Sequence, residues 1–419
     1  MLQPPASLDE LPLSRSANST LLEFKKLAGI EAPHLNGAQL LYERSYMHSV
    51  ARDTFPLAES SCRLVKCRDA ILAVNLPRES DWDLIPAWLG PWSDPTETSP
   101  DDWRSLILRC REIKGLDLLE QAHQLGLAVS RVDQVPLTRQ NPWQLRQLSI
   151  SDIKPEPGRS KAPLVVDLSS LWAGPLCSHL LWQAGCRVIK VEGLNRLDGA
   201  RNGLPAFYQL LNQGKESLVI DFKSEGELAR LRQLLCHADV VIEGSRPRAL
   251  QNCGIHAEEI LSSNKTKVWL SITAYGRDGA EANRVGYGDD AAAAAGLSQI
   301  MQEATGQFSI AGDAIADPLT GMYGALAVWT SLQSKGSDLI SIALRDSVGT
   351  ALQQELKQDR ARVLYGCRNW SATLEQLHRF FPQGPRIATS YTAQAGEHNT
   401  SIYDELAALT RPVSQQHGP

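Results

Sequence analysis

Asp317 is the residue of this sequence best placed to act as a nucleophile. It precedes Pro318 at the start of a strongly apolar stretch, so the pattern predicts Asp317 as the N-cap of a helix and Pro318 as its first residue. A carboxylate there is held ionised by backbone N–H groups and the helix dipole, which makes it available for attack at neutral pH. Asp before Pro is also a common capping pair, and the residues alone favour that role.

Basic side chains follow several predicted strands, at positions where cations can hold phosphate groups. They are Lys190, Lys215, Lys223, Arg246 and Arg248. The turn from Ser170 to Gly174 lies where a ligand can approach the backbone after the first of these strands. Each feature has an ordinary alternative, because a solvated surface charge or a generic turn gives the same pattern.

The elements that must position these residues alternate between strand and helix. The segment 164–192 predicts a strand, a helix that begins at Pro175 and ends at Gly185, and a second strand. Further strands are predicted at 217–222, 239–244 and 267–276. This alternation predicts an α/β fold with a Rossmann-like parallel sheet covered by helices on both faces. Ligands of such sheets bind at the carboxyl ends of the strands.

Residues 1–150 have a less regular pattern and are predicted to form a smaller α+β domain. Residues 35–53 have helical spacing, and 62–76 predict two short strands joined by a turn at Arg68 and Asp69. The tryptophans that follow have helical spacing, which indicates core packing rather than an aromatic recognition box: Trp82, Trp88, Trp92 and Trp103. We expect a linker at 151–163, a large domain at 164–360 and a C-terminal tail at 361–419 that packs on the large domain.

Composition narrows the classes of partner. The 419 residues carry a net charge of −5, which gives no electrostatic case for nucleic acid or an anionic membrane. The eight cysteines contain no CxxC pair and indicate reduced, buried thiols rather than a disulfide or metal framework. No apolar run approaches the ~20 residues of a membrane span, and no glycine-rich nucleotide motif follows the first strand. We therefore expect a cytoplasmic protein.

Seven ordered segments between residues 165 and 328 resemble the family III CoA-transferases, which include formyl-CoA transferase and carnitine CoA-transferase. They are VVDLSSLWAGPLCSHLLWQAGCRVIKVEG, DGARNG, NQGKESLVIDFKSEGEL, ADVVIEGSRPRALQNCGI, LSITAYGRDGA, RVGYGDD and IADPLTGMYGALAV. The resemblance implies a Rossmann-like CoA-binding domain with a smaller domain, and a homodimer of interlocked rings. It also implies coenzyme A or acyl-CoA and a small carboxylic acid as substrates, with no permanently bound cofactor.

The resemblance implies that Asp317, in ADPLTGMYG, is the catalytic residue. In the family this aspartate attacks an acyl-CoA thioester to give a mixed anhydride, then forms an aspartyl-CoA thioester that an acceptor carboxylate resolves. The positions that match the family's CoA contacts are Ser170, Leu171, Trp172, Ala173, Ile220, Lys223, Gly244, Ser245 and Arg246. EGSRPR replaces the usual ENFRPG, so the side chains beside the adenine are lost at Gly244 and Ser245. Gly193 replaces the basic residue that often follows VIKVE.

Two other functions stay open. The related α-methylacyl-CoA racemase has a histidine where this chain has Tyr287, which disfavours racemase or isomerase chemistry because that chemistry needs an acid and a base on opposite faces. A non-catalytic CoA- or acyl-CoA-binding protein is the other alternative, because the family's glycine loop has no clear counterpart in 1–150. The family usually places its small domain after the helix that matches 346–358, whereas here residues 35–135 resemble it. This permuted order requires the N-terminal module to pack near Asp317.

Overall fold

The protein is built on two separate β-sheets. The computed structural model describes residues 7–51, 61–90, 102–135, 141–149, 162–263 and 266–410. The strands in these ranges are β1 (Cys62–Lys66), β2 (Ile71–Asn75), β3 (Ala128–Arg131), β4 (Trp143–Ser149), β5 (Leu164–Asp167), β6 (Arg187–Gly193), β7 (Glu216–Ile220), β8 (Val240–Glu243), β9 (Val268–Thr273) and β10 (Ser337–Ala343).

Helices connect and cover these strands. They are α1 (Ser14–Ala28), α2 (Gly37–Ala51), α3 (Glu79–Trp82), α4 (Ile85–Leu89), α5 (Trp103–Cys110), α6 (Gly115–Leu125), α7 (Ala173–Gln183), α8 (Pro205–Asn212), α9 (Glu225–His237), α10 (Pro247–Gln251), α11 (Ala257–Ser263), α12 (Gly288–Ala294), α13 (Leu297–Thr305), α14 (Ala316–Leu332), α15 (Leu344–Leu374) and α16 (Asn399–Thr410). Short 3₁₀ turns lie at Leu8–Glu10, Gly199–Asn202 and Leu377–Phe380.

The large sheet has the strand order β4-β10-β9-β8-β5-β6-β7. All neighbours in it are parallel except β4, which runs antiparallel to β10. Strands β6 and β7 lie on one side of β5, whereas β8, β9 and β10 lie on the other side. The chain order therefore reverses between β5 and β8, and the crevice at the carboxyl ends of these two strands is the expected ligand site. We call this end of the sheet the carboxyl edge.

The strands of the large sheet are apolar because both faces are covered. Val165 and Val240 point into a core that contains α7 and α14, whereas Val166 and Val241 point into a second core that contains α9 and α16. This two-sided burial explains the continuous runs of valine and isoleucine in the sequence. It confirms the predicted α/β fold with helices on both faces.

The small sheet is antiparallel, with the order β1-β2-β3. Its hairpin pairs Lys66 with Ile71 across the predicted turn. Trp88 and Trp103 are buried in its core, and Trp82 packs edge-on against Trp103 with ring centroids 5.2 Å apart. The interpretation of these tryptophans as core residues is confirmed, and Trp92 lies outside the described residues. A second, small apolar cluster joins this sheet to α12 of the large domain.

The structure differs from the expected domain boundary at residue 150. Helices α1 and α2 pack in the same core as α7 and α14, because buried side chains such as Phe24 and Leu41 cover that face of the large domain. Strand β4 joins the edge of the large sheet through β10. Within the expected small domain, described residues of 61–90 and 102–132 pack around the small sheet. Most of the expected linker at 151–163 lies outside the described residues.

The C-terminal segment runs along β7. The backbone N–H of His398 donates to the carbonyl of Ser217 at 3.0 Å, and Asn399 exchanges two hydrogen bonds with the backbone of Val219. Further back, Arg386 forms a paired hydrogen bond with the buried carboxylate of Glu43 on α2. The same segment therefore ties the edge of the large sheet to the N-terminal helices.

Candidate active site

Asp317 lies in the first turn of α14, at the carboxyl edge of the large sheet. The helix begins at Ala316 and its N-cap is Ile315, so Asp317 is the second helical residue and not the predicted N-cap. The reason is local: the N–H of Asp317 already donates to the carbonyl of Ala314 at 2.9 Å, which starts the turn earlier. The carboxylate is consequently free of a capping role and accepts a hydrogen bond from the backbone of Ala173 instead.

Three helix starts meet around the Asp317 carboxylate. Ala173 is the first residue of α7, and Gly288 is the first residue of α12. A Cβ atom at Gly288 would lie 2.3 Å from Oδ2 of Asp317, so only glycine fits there. Asp317 is partly exposed. Gly288, in the GYGDD motif, therefore faces Asp317.

The pKa of Asp317 is raised to about 7. Burial is the largest cause, and the charges of Asp290 and Asp313 add to it, whereas Arg44 and the Ala173 backbone oppose it. The sequence predicted a carboxylate held ionised by the helix terminus, but desolvation and like charges outweigh that effect. Asp317 therefore changes charge near neutral pH, in the range expected of a catalytic group.

Asp317 belongs to a group of four carboxylates, Asp289, Asp290, Asp313 and Asp317, which we call the aspartate cluster. Burial followed by the charge of Asp313 raises the pKa of Asp289 to about 7, and its Oδ1 accepts the N–H of Ala314 at 2.7 Å. Asp290 accepts hydrogen bonds from the Tyr287 backbone and the Tyr275 hydroxyl, both at 2.8 Å, and burial raises its pKa to about 6. The cluster combines high local charge with little solvent.

Arg44, on α2, supplies positive charge beside three members of the aspartate cluster, Asp289, Asp313 and Asp317. Its Nε donates to Oδ2 of Asp313 at 2.8 Å, and a second guanidinium nitrogen pairs with the other oxygen. The guanidinium carbon lies 4.6 Å from the centre of the Trp172 ring. Burial alone would raise the pKa of Asp313, but Arg44 outweighs it and lowers that pKa. The N-terminal module therefore packs beside Asp317, as the permuted order requires.

The predicted CoA-contacting turn after β5 divides into two parts. Ser170 and Leu171 are exposed at the carboxyl edge, whereas Trp172 and Ala173 are buried beneath them. Leu171 has a φ of +69°, a conformation that costs a non-glycine residue free energy and occurs most often at functional sites. Its N–H donates to Oδ1 of Asp198 at 2.9 Å, which holds the turn in place. The structure thus presents a fixed backbone and an exposed leucine.

Two lysines lie beneath this turn rather than on the surface. Nζ of Lys190 lies 2.8 Å from Oδ2 of Asp198, and Nζ of Lys215 lies 3.3 Å from Oδ2 of Asp167. All four side chains are buried, and burial lowers the pKa of Lys215 to about 8 despite the opposing charge of Asp167. The proposed phosphate-holding role of Lys190 and Lys215 is wrong, as is the alternative of solvated charges. They fix the turn from below.

The remaining predicted contacts lie at two places along the carboxyl edge. Gly244 follows β8, and a Cβ there would lie 3.0 Å from Cβ of Ser169, so the β8 loop packs directly against the β5 turn. Ser245 and Arg246 continue this loop and are partly exposed. Ile220 ends β7 and is buried, with Lys223 exposed after it. Because β7 lies two strands from β5, these two residues stand about 10 Å from the turn.

Sequence reasoning did not select Arg44, Asp289 or Asp290 as site residues. Arg44 appeared only as part of a helical pattern, and a single arginine on a helix gives no sign of its partner. The two aspartates stood in the GYGDD motif, where their pairing gave no hint of a shared buried cluster. Within the described ranges, no group of three or more His, Cys, Asp or Glu side chains has the arrangement of a metal site.

Residues 163–363 match the model of the family described as CoA-transferase family III. The matched residues lie in the large domain, and the match agrees with the motifs of the sequence. One relative is the succinate–glutarate CoA-transferase of Agrobacterium fabrum, 32% identical over 208 residues, which are 46% of this chain and 52% of that protein. Another is human succinyl-CoA:glutarate CoA-transferase, 30% identical over 45% of this chain and 44% of that protein.

The chain spans about half the length of the curated relatives it matches. A crystal structure of a hypothetical protein from Mycobacterium tuberculosis is 28% identical, with a TM-score of 0.43 over 49% of this chain and 61% of that one. Among the described residues, no helix combines the length and the apolarity that crossing a bilayer requires. All eight cysteines are free and most are buried, as predicted.

Proposed function

We propose that this protein is a CoA-transferase that uses Asp317 as its nucleophile. An oxygen of the Asp317 carboxylate attacks the thioester carbonyl of an acyl-CoA and expels CoA thiolate, which leaves a mixed anhydride. The thiolate then attacks the aspartyl carbonyl, which releases the donor acid and forms an aspartyl-CoA thioester. The acceptor carboxylate repeats these two steps in reverse, so that CoA leaves on the acceptor and Asp317 is restored.

The observation that carries this proposal is the placement of Asp317. Its carboxylate lies in a water-poor recess at the carboxyl edge, receives the Ala173 backbone hydrogen bond and has a pKa of about 7. A desolvated carboxylate is a better nucleophile than a hydrated one, and a dry recess protects an anhydride from hydrolysis. In the second step, when the thiolate attacks the aspartyl carbonyl, the Ala173 N–H that binds this carboxyl group stabilises the oxyanion that forms on it. Attack requires the ionised form, so the rate should rise with pH through about 7.

The proposed CoA site follows from the exposed residues of the carboxyl edge. Ser170, Leu171 and the β8 loop lie next to one another at the point where the strand order reverses. The buried pair Trp172 and Ala173 supports that surface and joins it to Asp317. Ile220 and Lys223 are proposed to reach the more distant end of the ligand. In this proposal the thioester lies toward Asp317 and the nucleotide lies toward the β7 and β8 loops.

Residues 61–132 are proposed to be the family's small domain in an N-terminal position. Its support is contact with the site: Nδ2 of Asn75 donates to Oδ1 of Asp290 at 3.2 Å, and the Ser130 hydroxyl donates to the Asp290 carbonyl at 2.7 Å. A homodimer and a cytoplasmic location are further proposals that follow from the family resemblance. Light scattering of the purified chain tests the first of these.

The racemase alternative is less well supported by the site. Burial raises the pKa of the Tyr287 hydroxyl, so it is a poor general base at neutral pH. Exchange of the α-proton of an acyl-CoA in heavy water, without any acceptor acid, would favour this alternative. Binding of CoA without any covalent adduct would favour the non-catalytic binding protein.

Intact-protein mass spectrometry tests the proposal. The parent chain and Asp317→Ala are mixed with acyl-CoAs, beginning with succinyl-CoA and with glutarate as acceptor, because relatives carry these names. We expect a CoA-sized adduct on the parent, or a hydroxamate after hydroxylamine is added, and neither on the variant. An adduct of equal yield on Asp317→Ala would contradict the assignment of the nucleophile.

A further inference from the structure

Helix α12 contacts both the small sheet and Asp317. Its first residue, Gly288, is so close to Asp317 that a Cβ atom there would lie 2.3 Å from Oδ2. The next turn of the helix packs on the small sheet, where Ala293 forms an apolar cluster with Ala73 and Val132. The small sheet and the proposed nucleophile therefore share one short helix.

Two side chains of the small sheet bind Asp290, the third residue of α12. Nδ2 of Asn75, at the end of β2, donates to Oδ1 of Asp290 at 3.2 Å. The hydroxyl of Ser130, on β3, donates to the backbone carbonyl of Asp290 at 2.7 Å. All three residues are buried, with 2% of Asn75 exposed and less of the other two. These hydrogen bonds fix both the side chain and the backbone of Asp290 relative to the small sheet.

Asp290 in turn holds the chain just before α12. Its Oδ1 also accepts the N–H of Tyr287, and its Oδ2 accepts the hydroxyl of Tyr275, both at 2.8 Å. A second link to the small sheet lies close by, because Nη2 of Arg284 donates to the carbonyl of Val129 at 3.3 Å. The guanidinium carbon of Arg284 lies 3.6 Å from the centre of the Tyr275 ring. Contacts with the small sheet therefore hold both ends of the turn that leads into α12.

The start of α12 is joined to the first turn of α14 through Asp289. Oδ1 of Asp289 accepts the N–H of Ala314 at 2.7 Å, and the carbonyl of Ala314 accepts the N–H of Asp317 at 2.9 Å. A Cβ atom at Gly288 would also lie 2.5 Å from that carbonyl oxygen. The contacts thus run without a gap from Asn75 to the backbone of Asp317. A displacement of the start of α12 would move the wall of the site against the carboxylate.

We propose that Asn75 and Ser130 are positioning residues for Asp317. They act through Asp290, whose side chain and backbone they hold, and so they set where Gly288 lies against the Asp317 carboxylate. Reaction rates depend steeply on such placement, because the nucleophile must meet the thioester carbonyl at a fixed distance and angle. The proposal rests on the proposed function for the chemistry of Asp317. It gives the small sheet a part in the reaction that is separate from any contact with CoA.

The rate of adduct formation tests the positioning role. Asn75→Ala and Ser130→Ala are mixed with saturating succinyl-CoA and quenched at pH 9, where a carboxyl group with a pKa of about 7 is almost fully ionised. At this pH the rate reports the placement of Asp317 rather than its charge. We expect the rate to fall about tenfold in each variant, because small misplacements of reacting groups are costly. The affinity for CoA, measured by isothermal titration calorimetry, should stay unchanged.

Hydrogen–deuterium exchange of the free protein gives a second readout that needs no reaction. The backbone amides of 287–294 and of Ala314 should exchange faster in both variants than in the parent. In an Asp290→Ala background, Asn75→Ala should cause no further loss of rate, because Asn75 acts through Asp290. Ser130→Thr keeps the hydroxyl and should recover most of the parent rate.

The matched control is Cys110→Ala. Cys110 is buried in the core of the small domain, whereas other residues form the cluster at α12. This variant loosens the small domain and should leave both the rate and the exchange of 287–294 as in the parent. Thermal unfolding of every variant is measured, so that rates are compared well below the unfolding transition. Equal slowing in Cys110→Ala would overturn the proposal, because general loosening would then explain the effect.

The two readouts separate this proposal from the proposed function. Unchanged rates in folded Asn75→Ala and Ser130→Ala would overturn the positioning role, even if the parent forms the adduct. A loss confined to CoA affinity would overturn it as well. If the parent forms no adduct, the transfer reaction fails and exchange decides: faster exchange at 287–294 and Ala314 supports positioning of the Asp317 site, and unchanged exchange overturns it.

Discussion

Replacing Arg44 by methionine should move the pH dependence of the reaction to higher pH. Arg44 pairs with Asp313 and is the cation that most lowers the pKa of Asp317. Methionine keeps the length and the apolar contact with Trp172 but removes the charge. Without Arg44, Asp317 loses the cation that opposes burial and like-charge repulsion at its carboxylate. Asp317 should therefore hold its proton to higher pH.

The size of the effect follows from the charges involved. An opposite charge close to a carboxyl group lowers its pKa by about 1–3 units, and we expect the lower end because Arg44 is shared with Asp313. A rise of about one unit from the parent value of about 7 corresponds to about 1.4 kcal/mol. At pH 7 the ionised fraction of Asp317 then falls from about one half to about one tenth, and the rate should fall about fivefold. At pH 9 both proteins should be almost fully ionised.

Rapid-quench measurement of adduct formation from pH 5.5 to 9.5 checks this expectation. Arg44→Lys is the control, because it keeps the charge while it loses the paired hydrogen bond, and its profile should stay close to that of the parent. A methionine variant that is slower by the same factor at pH 7 and pH 9 would refute the electrostatic role. An unshifted profile with an unchanged rate would refute it as well.

Because the pKa of Asp289 is raised, its ionisation destabilises the native state, and this cost develops as the pH rises from about 4 to 7. Asp289→Asn removes the ionisable group and should therefore stabilise the fold at pH 8 by about 1–2 kcal/mol. Urea unfolding at pH 8 and pH 5 measures this gain, which should be smaller at pH 5. Gly288→Ala should abolish adduct formation in a folded protein, because its Cβ would lie 2.3 Å from the nearest oxygen of Asp317. Asp198→Asn should lower the free energy of unfolding by about 3–5 kcal/mol, because it leaves a buried lysine without its charged partner.

Each of these predictions has a control or a contrary result. Gly226→Ala places a methyl group on α9 with its nearest neighbour 3.9 Å away, so it should leave both activity and folding intact. A gain for Asp289→Asn that is equal at both pH values would show that titration is not its cause. A loss below about 1 kcal/mol for Asp198→Asn would show that the lysine finds another partner or stays hydrated.

The large sheet could be predicted from the sequence because its signals are local. The apolar run of β5 and the apolar helix after Asp317 can each be recognised from residues that are close together in the sequence. Even there the helix starts earlier than Pro318 suggests, because a backbone hydrogen bond to Ala314 sets the first turn.

The rest of the site depends on contacts between distant parts of the chain. In the sequence, Lys190 and Lys215 stand near strand ends, as surface cations often do. Only the tertiary structure shows that both are buried beneath the β5 turn, where they pair with aspartates 8 and 48 residues away. Arg44 meets Asp313 across 269 residues. For the same reason, local patterns did not predict that α1 and α2 pack in one core with α7 and α14, or that β4 pairs with β10.

The most direct test of the account is to locate the trapped carboxyl group among the four members of the aspartate cluster. The protein is treated with succinyl-CoA and hydroxylamine, digested, and sequenced by tandem mass spectrometry. The account predicts a hydroxamate on Asp317 and none on Asp289, Asp290 or Asp313, with the label lost when acceptor acid is added first in excess. A hydroxamate on any of the other three, with Asp317 unmodified, would contradict it.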